Sequence, residues 1–311
     1  MLFFTIFRDV CLPLILLIGA GWLLEKRYRL DLDSLVKLNF NLFVPVFIFV
    51  KVVEATLGGA DAAKILLFTG CVIASMWGLT WGIGNFLKLP KVDLTAMQLA
   101  TMFYNCGNFG IPATALAYPE MGPKVQVFAL MAMNMSVFTI GLTLARRHGE
   151  GADQSWWKNL TAVFKLPPVY GVLCAVPVRL LDIPVTDWQF LWKPLDYIAD
   201  GLVAIATVTL GVQLAKTRRP SFKGGLGWAV GIRLLGGPLV GLGLVLLFGF
   251  EGEFAAVLIL GTSCPTAVNT ALLAHEFKGN SAFAAAAVFY STILSVGTVA
   301  LLVPLLKYFY G

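Results

Sequence analysis

The chain has 311 residues, of which 58% are hydrophobic and only 13% charged, with a mean hydropathy of +0.82 and a formal charge of +6. This balance departs far from that of soluble proteins and leaves little chain outside a membrane to host a soluble catalytic domain. The basic residues fall in short links between apolar segments, which excludes a nucleic-acid footprint.

A membrane span needs about 20 mostly apolar residues. On that basis ten spans are predicted. The first covers about 3–24 and ends at the basic link 25–29. It carries Arg8 and Asp9 and no small-residue cleavage site after Leu16, so it reads as a retained span and not a signal peptide. The second covers about 32–53 and contains Asn39, Asn41 and Pro45; the third is about 62–87, the fourth about 94–118 and the fifth about 125–144. A polar link around 146–151 divides the chain, and the sixth to tenth spans follow at about 166–181, 195–215, 226–250, 254–277 and 282–308. The expected fold class is an all-α polytopic membrane protein, with a five-helix repeat over 1–146, a cytoplasmic link over 147–164 and a second five-helix repeat over 165–311.

The fourth and ninth spans are interrupted. Positions 105–112 read Asn-Cys-Gly-Asn-Phe-Gly-Ile-Pro, where glycine is costly in a helix and Pro112 removes a backbone donor. Positions 262–269 read Thr-Ser-Cys-Pro-Thr-Ala-Val-Asn. In lipid such breaks are tolerated only where the freed backbone faces protein or a wet cavity. Pro112 and Pro265 are 153 positions apart, and Pro13 and Pro167, which open the first and sixth spans, are 154 apart. Five spans per half is an odd number, so the second half enters the membrane in the opposite sense, and an inverted repeat with crossing broken helices is predicted. Lysine and arginine at 26–29, 88–91, 146–165, 216–223 and 278 outnumber those on the other side about twofold. This places both termini outside the cytoplasm of a cell membrane.

These features resemble the auxin efflux carrier family, of the bile/arsenite/riboflavin transporter superfamily, which includes the plant PIN-formed auxin carriers and many prokaryotic organic-acid permeases. Positions 105–112 resemble the family's first crossover, an asparagine followed five residues later by Gly-Ile-Pro. The second span, Phe-Asn-Leu-Phe-Val-Pro-Val-Phe-Ile-Phe at 40–49, is similar to its proline-and-phenylalanine pattern, and Leu-Gly-Val-Gln-Leu-Ala at 210–215 to the close of its seventh span. Leu-Ala-His-Glu-Phe at 273–277 resembles the end of its ninth. The resemblance implies ten spans, a five-plus-five inverted repeat, elevator-type motion, anionic substrates that are often carboxylates, and a homodimer. The chain lacks the plant carriers' long central loop and has Asn108 where a hydrophobic residue is usual there, which favours a compact prokaryotic-type permease over an auxin carrier. The bile-acid sodium symporters share the architecture and stand as the structural alternative; a channel is a further one.

At a mid-membrane break, the amide end of a half-helix carries partial positive charge and can hold an anion without a buried lysine. Candidate substrate-binding residues are therefore Asn105, Gly107, Asn108, Gly110, Pro112, Thr262, Ser263, Pro265, Thr266 and Asn269, with the amides around Gly110 and Thr266 as anion donors. Ionisable and oxygen-bearing groups at membrane depth are candidates for a coupling proton or sodium ion: Asp196, Asp200, Asn134, Ser136, Thr139 and Glu276. The alternative for Asp196 is an outer-interface pair with Lys193, and for Glu276 and His275 a cytoplasmic helix end. Arg233, about two turns into the eighth span, reads as snorkelling to the cytoplasmic face, with a substrate carboxylate as the alternative partner. Lys37 and Asn39 are weighed as facing the substrate path, with the cytoplasmic interface as the favoured place for Lys37, and Trp156, Trp157, Trp188 and Trp192 read as interface anchors. The five cysteines lie in apolar segments without metal-ligand spacing, and neither a metal site, a cofactor nor enzymatic activity is expected.

Overall fold

The structure, a computed structural model, describes residues 2–55, 57–146, 163–217 and 225–311. The predicted link at 147–164 lies almost wholly outside the described residues, as do Trp156, Trp157 and the basic residues Arg147, Lys158, Arg218, Arg219 and Lys223. The protein is an all-α polytopic membrane protein; no strand occurs among the described residues. Among the described residues, seven helices are long and apolar enough to cross a bilayer: α1 (Phe4–Tyr28), α2 (Leu32–Val53), α3 (Gly59–Phe86), α6 (Gly122–Arg146), α8 (Gln189–Lys216), α9 (Leu226–Phe248) and α12 (Ser281–Tyr310). Shorter pieces complete the set. They are α4 (Lys91–Met102), α5 (Ile111–Ala117), α7 (Pro167–Leu180), α10 (Gly252–Thr262) and α11 (Val268–Glu276).

Large apolar side chains point outward along these helices, among them Leu180 (77% exposed), Phe190 (83%) and Leu247 (77%). In water that much exposed apolar surface would drive association; in lipid it is the expected exterior. Proline shapes the interior of the spans. Wider π-helical turns at Phe7–Cys11, Asn39–Phe43, Cys106–Gly110 and Ile232–Gly236 each run directly into Pro13, Pro45, Pro112 or Pro238. A proline cannot donate to the carbonyl four residues back and its ring crowds that carbonyl, so the preceding turn opens by one residue.

The helices sort into two groups by packing. In one, α1 packs on α8 and α2 on α7, with α8 also against α2. Small residues let these backbones close: a Cβ at Gly21 would lie 2.1 Å from the Val208 carbonyl oxygen, and one at Gly211 only 2.0 Å from that of Ile18. In the other, α3, α6, α9 and α12 surround the broken pairs α4/α5 and α10/α11. Trp192 belongs to the first group's interior, 9% exposed and 6.4 Å from the Phe49 ring centre, and is not the interface anchor expected of it. Its helix turns that position inward, which flanking position alone does not specify.

Candidate functional site

The two interruptions meet. After α4 the backbone at Phe103 is extended, and Tyr104 pairs antiparallel with Thr266. The Asn105 amide donates to the Pro265 carbonyl at 2.7 Å, and the Ala267 amide donates to that of Phe103 at 2.9 Å. Each break thus satisfies groups freed by the other, which in a hydrocarbon surround would otherwise cost several kcal/mol apiece.

Beyond the crossing, the second half of each broken helix begins beside a shared cavity. Asn105 caps the first: its Oδ1 accepts from the Asn108 amide at 3.0 Å. At the start of α11 the cap residue Ala267 has no side-chain acceptor, so no side-chain cap covers the leading amides of that helix. The cavity holds about 100 Å³ and is lined on its polar side by Asn39, Tyr104, Asn105, Gly107, Asn108, Asn134 and Asn269. Val36, Phe40, Leu130, Met133 and Val137 are among its apolar lining. The space suits several waters or one small organic ion. Two buried polar atoms in this wall have no partner, Asn105 Nδ2 and Asn39 Oδ1. Asn39, on α2 and in the first helix group, donates through Nδ2 to Asn108 Oδ1 at 3.0 Å and so bridges the two groups.

Of the residues nominated from sequence, Asn105, Gly107, Asn108 and Asn269 come together on this wall, and Asn39, weighed for the substrate path, joins them. The others lie behind it. The Gly110 amide donates to the Asn105 carbonyl at 2.9 Å, and a Cβ there would crowd Gln126 Nε2 at 2.6 Å, Cys264 Sγ at 3.2 Å and the Asn105 carbonyl oxygen at 3.3 Å. Pro112 sits buried where the π-helical turn Cys106–Gly110 runs into α5, and that wider turn accommodates its missing donor. The Thr262 and Ser263 hydroxyls donate to Ile259 and Leu260 carbonyls of their own helix, and both residues are fully buried. Pro265 acts through its carbonyl in the crossing. The Thr266 amide donates to Ser291 Oγ at 3.0 Å and its hydroxyl to the Ala100 carbonyl at 2.8 Å, so neither is free for an anion. Polar groups in an apolar interior take the nearest backbone partner, as the hydroxyls of Thr262, Ser263 and Thr266 do.

Among the coupling-ion candidates only Asn134 reaches the cavity. Thr139 turns to the opposite side of α6 and donates to Met135 at 2.7 Å, and Ser136 lies outside the wall. Asp196 is half-buried and Asp200 exposed on α8, away from the cavity, and no ion pair with Lys193 forms among the described residues. Glu276 and His275 are exposed at the end of α11. Lys37 is exposed and pairs with Asp33 at 2.5 Å. Arg233 does not snorkel: it is 0% exposed and stands against the crossing itself.

The family described as membrane transport protein matches residues 6–303, nearly the whole chain. The chain belongs to that family. The resemblance to auxin efflux carriers and their prokaryotic permease relatives therefore holds along the transporter's length. An uncharacterized transporter of Methanothermobacter thermautotrophicus is 24% identical over 306 residues, covering 93% of this transporter and 94% of that protein. A second uncharacterized transporter, from Methanocaldococcus jannaschii, is 24% identical over 76% of each chain. A Rhizobium meliloti protein named "Putative malonate transporter" is also 24% identical, over 95% of this transporter and 94% of its own length.

Proposed function

We propose that this transporter carries small organic anions, carboxylates foremost, by alternating access, with the anion held in the crossover cavity. The observation that carries the reading is the convergence of two half-helix amide ends on the polar wall of one small cavity. Each helix terminus carries about half an elementary charge, so two together offset roughly one carboxylate without a basic side chain in the wall. Asn105 Nδ2 supplies an unused donor beside them. The name of the Rhizobium meliloti relative supports a carboxylate.

An elevator-type motion is supported by the location of the cavity between the two helix groups, with Asn39 on one and the crossover on the other. The reciprocal packing of α1 on α8 and α2 on α7 supports the five-plus-five inverted repeat. A small cavity seated beside the crossover, in place of a continuous polar pore, favours a carrier over a channel. We place the transporter in the cell membrane with both termini outside, as its charge distribution favours.

Thermal stability of the purified protein against mono- and dicarboxylates, malonate included, tests the reading. A ligand at 100 times its Kd stabilises the folded state by about 2.7 kcal/mol. A carboxylate-dependent rise in melting temperature that is lost in Asn105→Ala is expected. A shift with neutral or cationic compounds only would refute the anion site and leave the carrier fold standing.

A further inference from the structure

Arg233 stands at the opposite side of the crossover from the cavity. It lies in the π-helical turn Ile232–Gly236 of α9 and is fully buried. Its Nη1 donates to the Thr101 carbonyl at 2.5 Å and its Nη2 to the Thr262 carbonyl. Thr101 is in the last turn of α4, and Thr262 is the last residue of α10. One guanidinium therefore bonds the carboxyl ends of both first half-helices, and it also lies 5.4 Å from the centre of the Tyr104 ring, inside the crossing. No carboxylate pairs with it among the described residues.

A buried cation without an anion is untenable unless something else supplies negative potential. Here each helix carboxyl end carries about half a negative elementary charge, so the two sum to roughly the charge on one guanidinium. The fixed fork of the guanidinium reaches two carbonyls at once, which a compact ammonium does less well. The approach of α9 is prepared by Gly237, where a Cβ would lie 2.2 Å from Arg233 Nη2 and 2.4 Å from the Thr262 carbonyl oxygen. Gly241 one turn on accommodates the Thr262 side chain.

We propose that Arg233 is the resident cation of the crossover: it occupies the place at the two carboxyl ends that a soluble monovalent cation would otherwise fill. The crossover then needs no sodium ion there, and Arg233 is a positioning residue that holds both half-helices in register. The amide ends are left as the unneutralised pair on the cavity side. This inference rests on the crossover geometry and stands whether or not the cavity takes a carboxylate.

The test compares Arg233→Lys with Arg233→Met, which differ in charge at similar length, and adds Arg233→Ala for rescue. Melting temperature and uptake are measured in sodium and in choline at equal ionic strength. Wild type is expected to melt at the same temperature in both salts. Arg233→Lys is expected to retain more stability and uptake than Arg233→Met. Arg233→Ala is expected to gain melting temperature with low millimolar guanidinium but not with equimolar urea, which has the shape without the charge. Equal stability and uptake in the Lys and Met variants would overturn the proposal. So would equal responses to guanidinium and urea, or a sodium-specific stabilisation of wild type. Because melting temperature needs no substrate, failure here is distinguishable from failure of the carboxylate reading.

Discussion

Asn105 does two things with one side chain. Its Oδ1 caps the half-helix that starts at Cys106, and its Nδ2 is left buried and unpartnered beside the cavity. Asn105→Asp separates them. An aspartate keeps the capping acceptor but replaces the free donor with negative charge. Folding is expected to survive, with a melting temperature near wild type, while carboxylate affinity falls. Loss of a hydrogen bond to a charged group is worth about 1.5–3 kcal/mol, or ten- to hundredfold. Titration by melting temperature checks both halves of this; unchanged affinity would remove Asn105 from the anion's contacts. The asparagines of the breaks were visible in the sequence because a polar residue in a 20-residue apolar run is conspicuous. The roles of Thr262, Ser263 and Thr266 were not. A hydroxyl in a helix can bond its own backbone or face a ligand, and composition does not distinguish the two.

At the scale of elements, close backbone approach carries the packing of α1 on α8. Without a hydrophobic drive between helices in lipid, dispersion contacts over small residues supply the association. Gly211→Ala places a methyl 2.0 Å from the Ile18 carbonyl oxygen, which backbone cannot yield without moving a helix. A destabilisation of about 1–3 kcal/mol is expected, measured as a lower melting temperature in detergent. Gly231→Ala on α9, where nothing lies within 4 Å of the added Cβ, is the control and should leave it unchanged. The breaks in α4/α5 and α10/α11 were legible from glycine and proline. That the two breaks cross was expected from sequence; that they pair through Tyr104 and Thr266 was not legible there.

For the whole molecule, the cavity is bounded by two separately packed helix groups, bridged by the 3.0 Å contact of Asn39 with Asn108. If transport requires these groups to slide, tethering them there arrests it. In a background with the five native cysteines replaced, mercuric-ion bridging of the pair Asn39→Cys and Asn108→Cys is expected to abolish most uptake. Excess thiol should restore it, and either single cysteine should be insensitive. Full uptake by the bridged pair would exclude relative motion at this contact.

The sequence by itself determined that the chain is a helical membrane protein, where most spans lie and where two of them break. Those are one-dimensional properties: apolar run length matches bilayer thickness, and glycine and proline act on the turn in which they sit. Depth is likewise readable, but lateral facing is not. Hydropathy placed Arg233 about two turns inside α9 and could not say that it bonds Thr101 and Thr262, 132 and 29 positions away. It placed Asp196 and Asp200 on one face of α8, and only packing showed that this face is not the cavity's. Which polar groups line a site and which serve the backbone is decided by the neighbour each helix acquires, and that choice exists only in three dimensions.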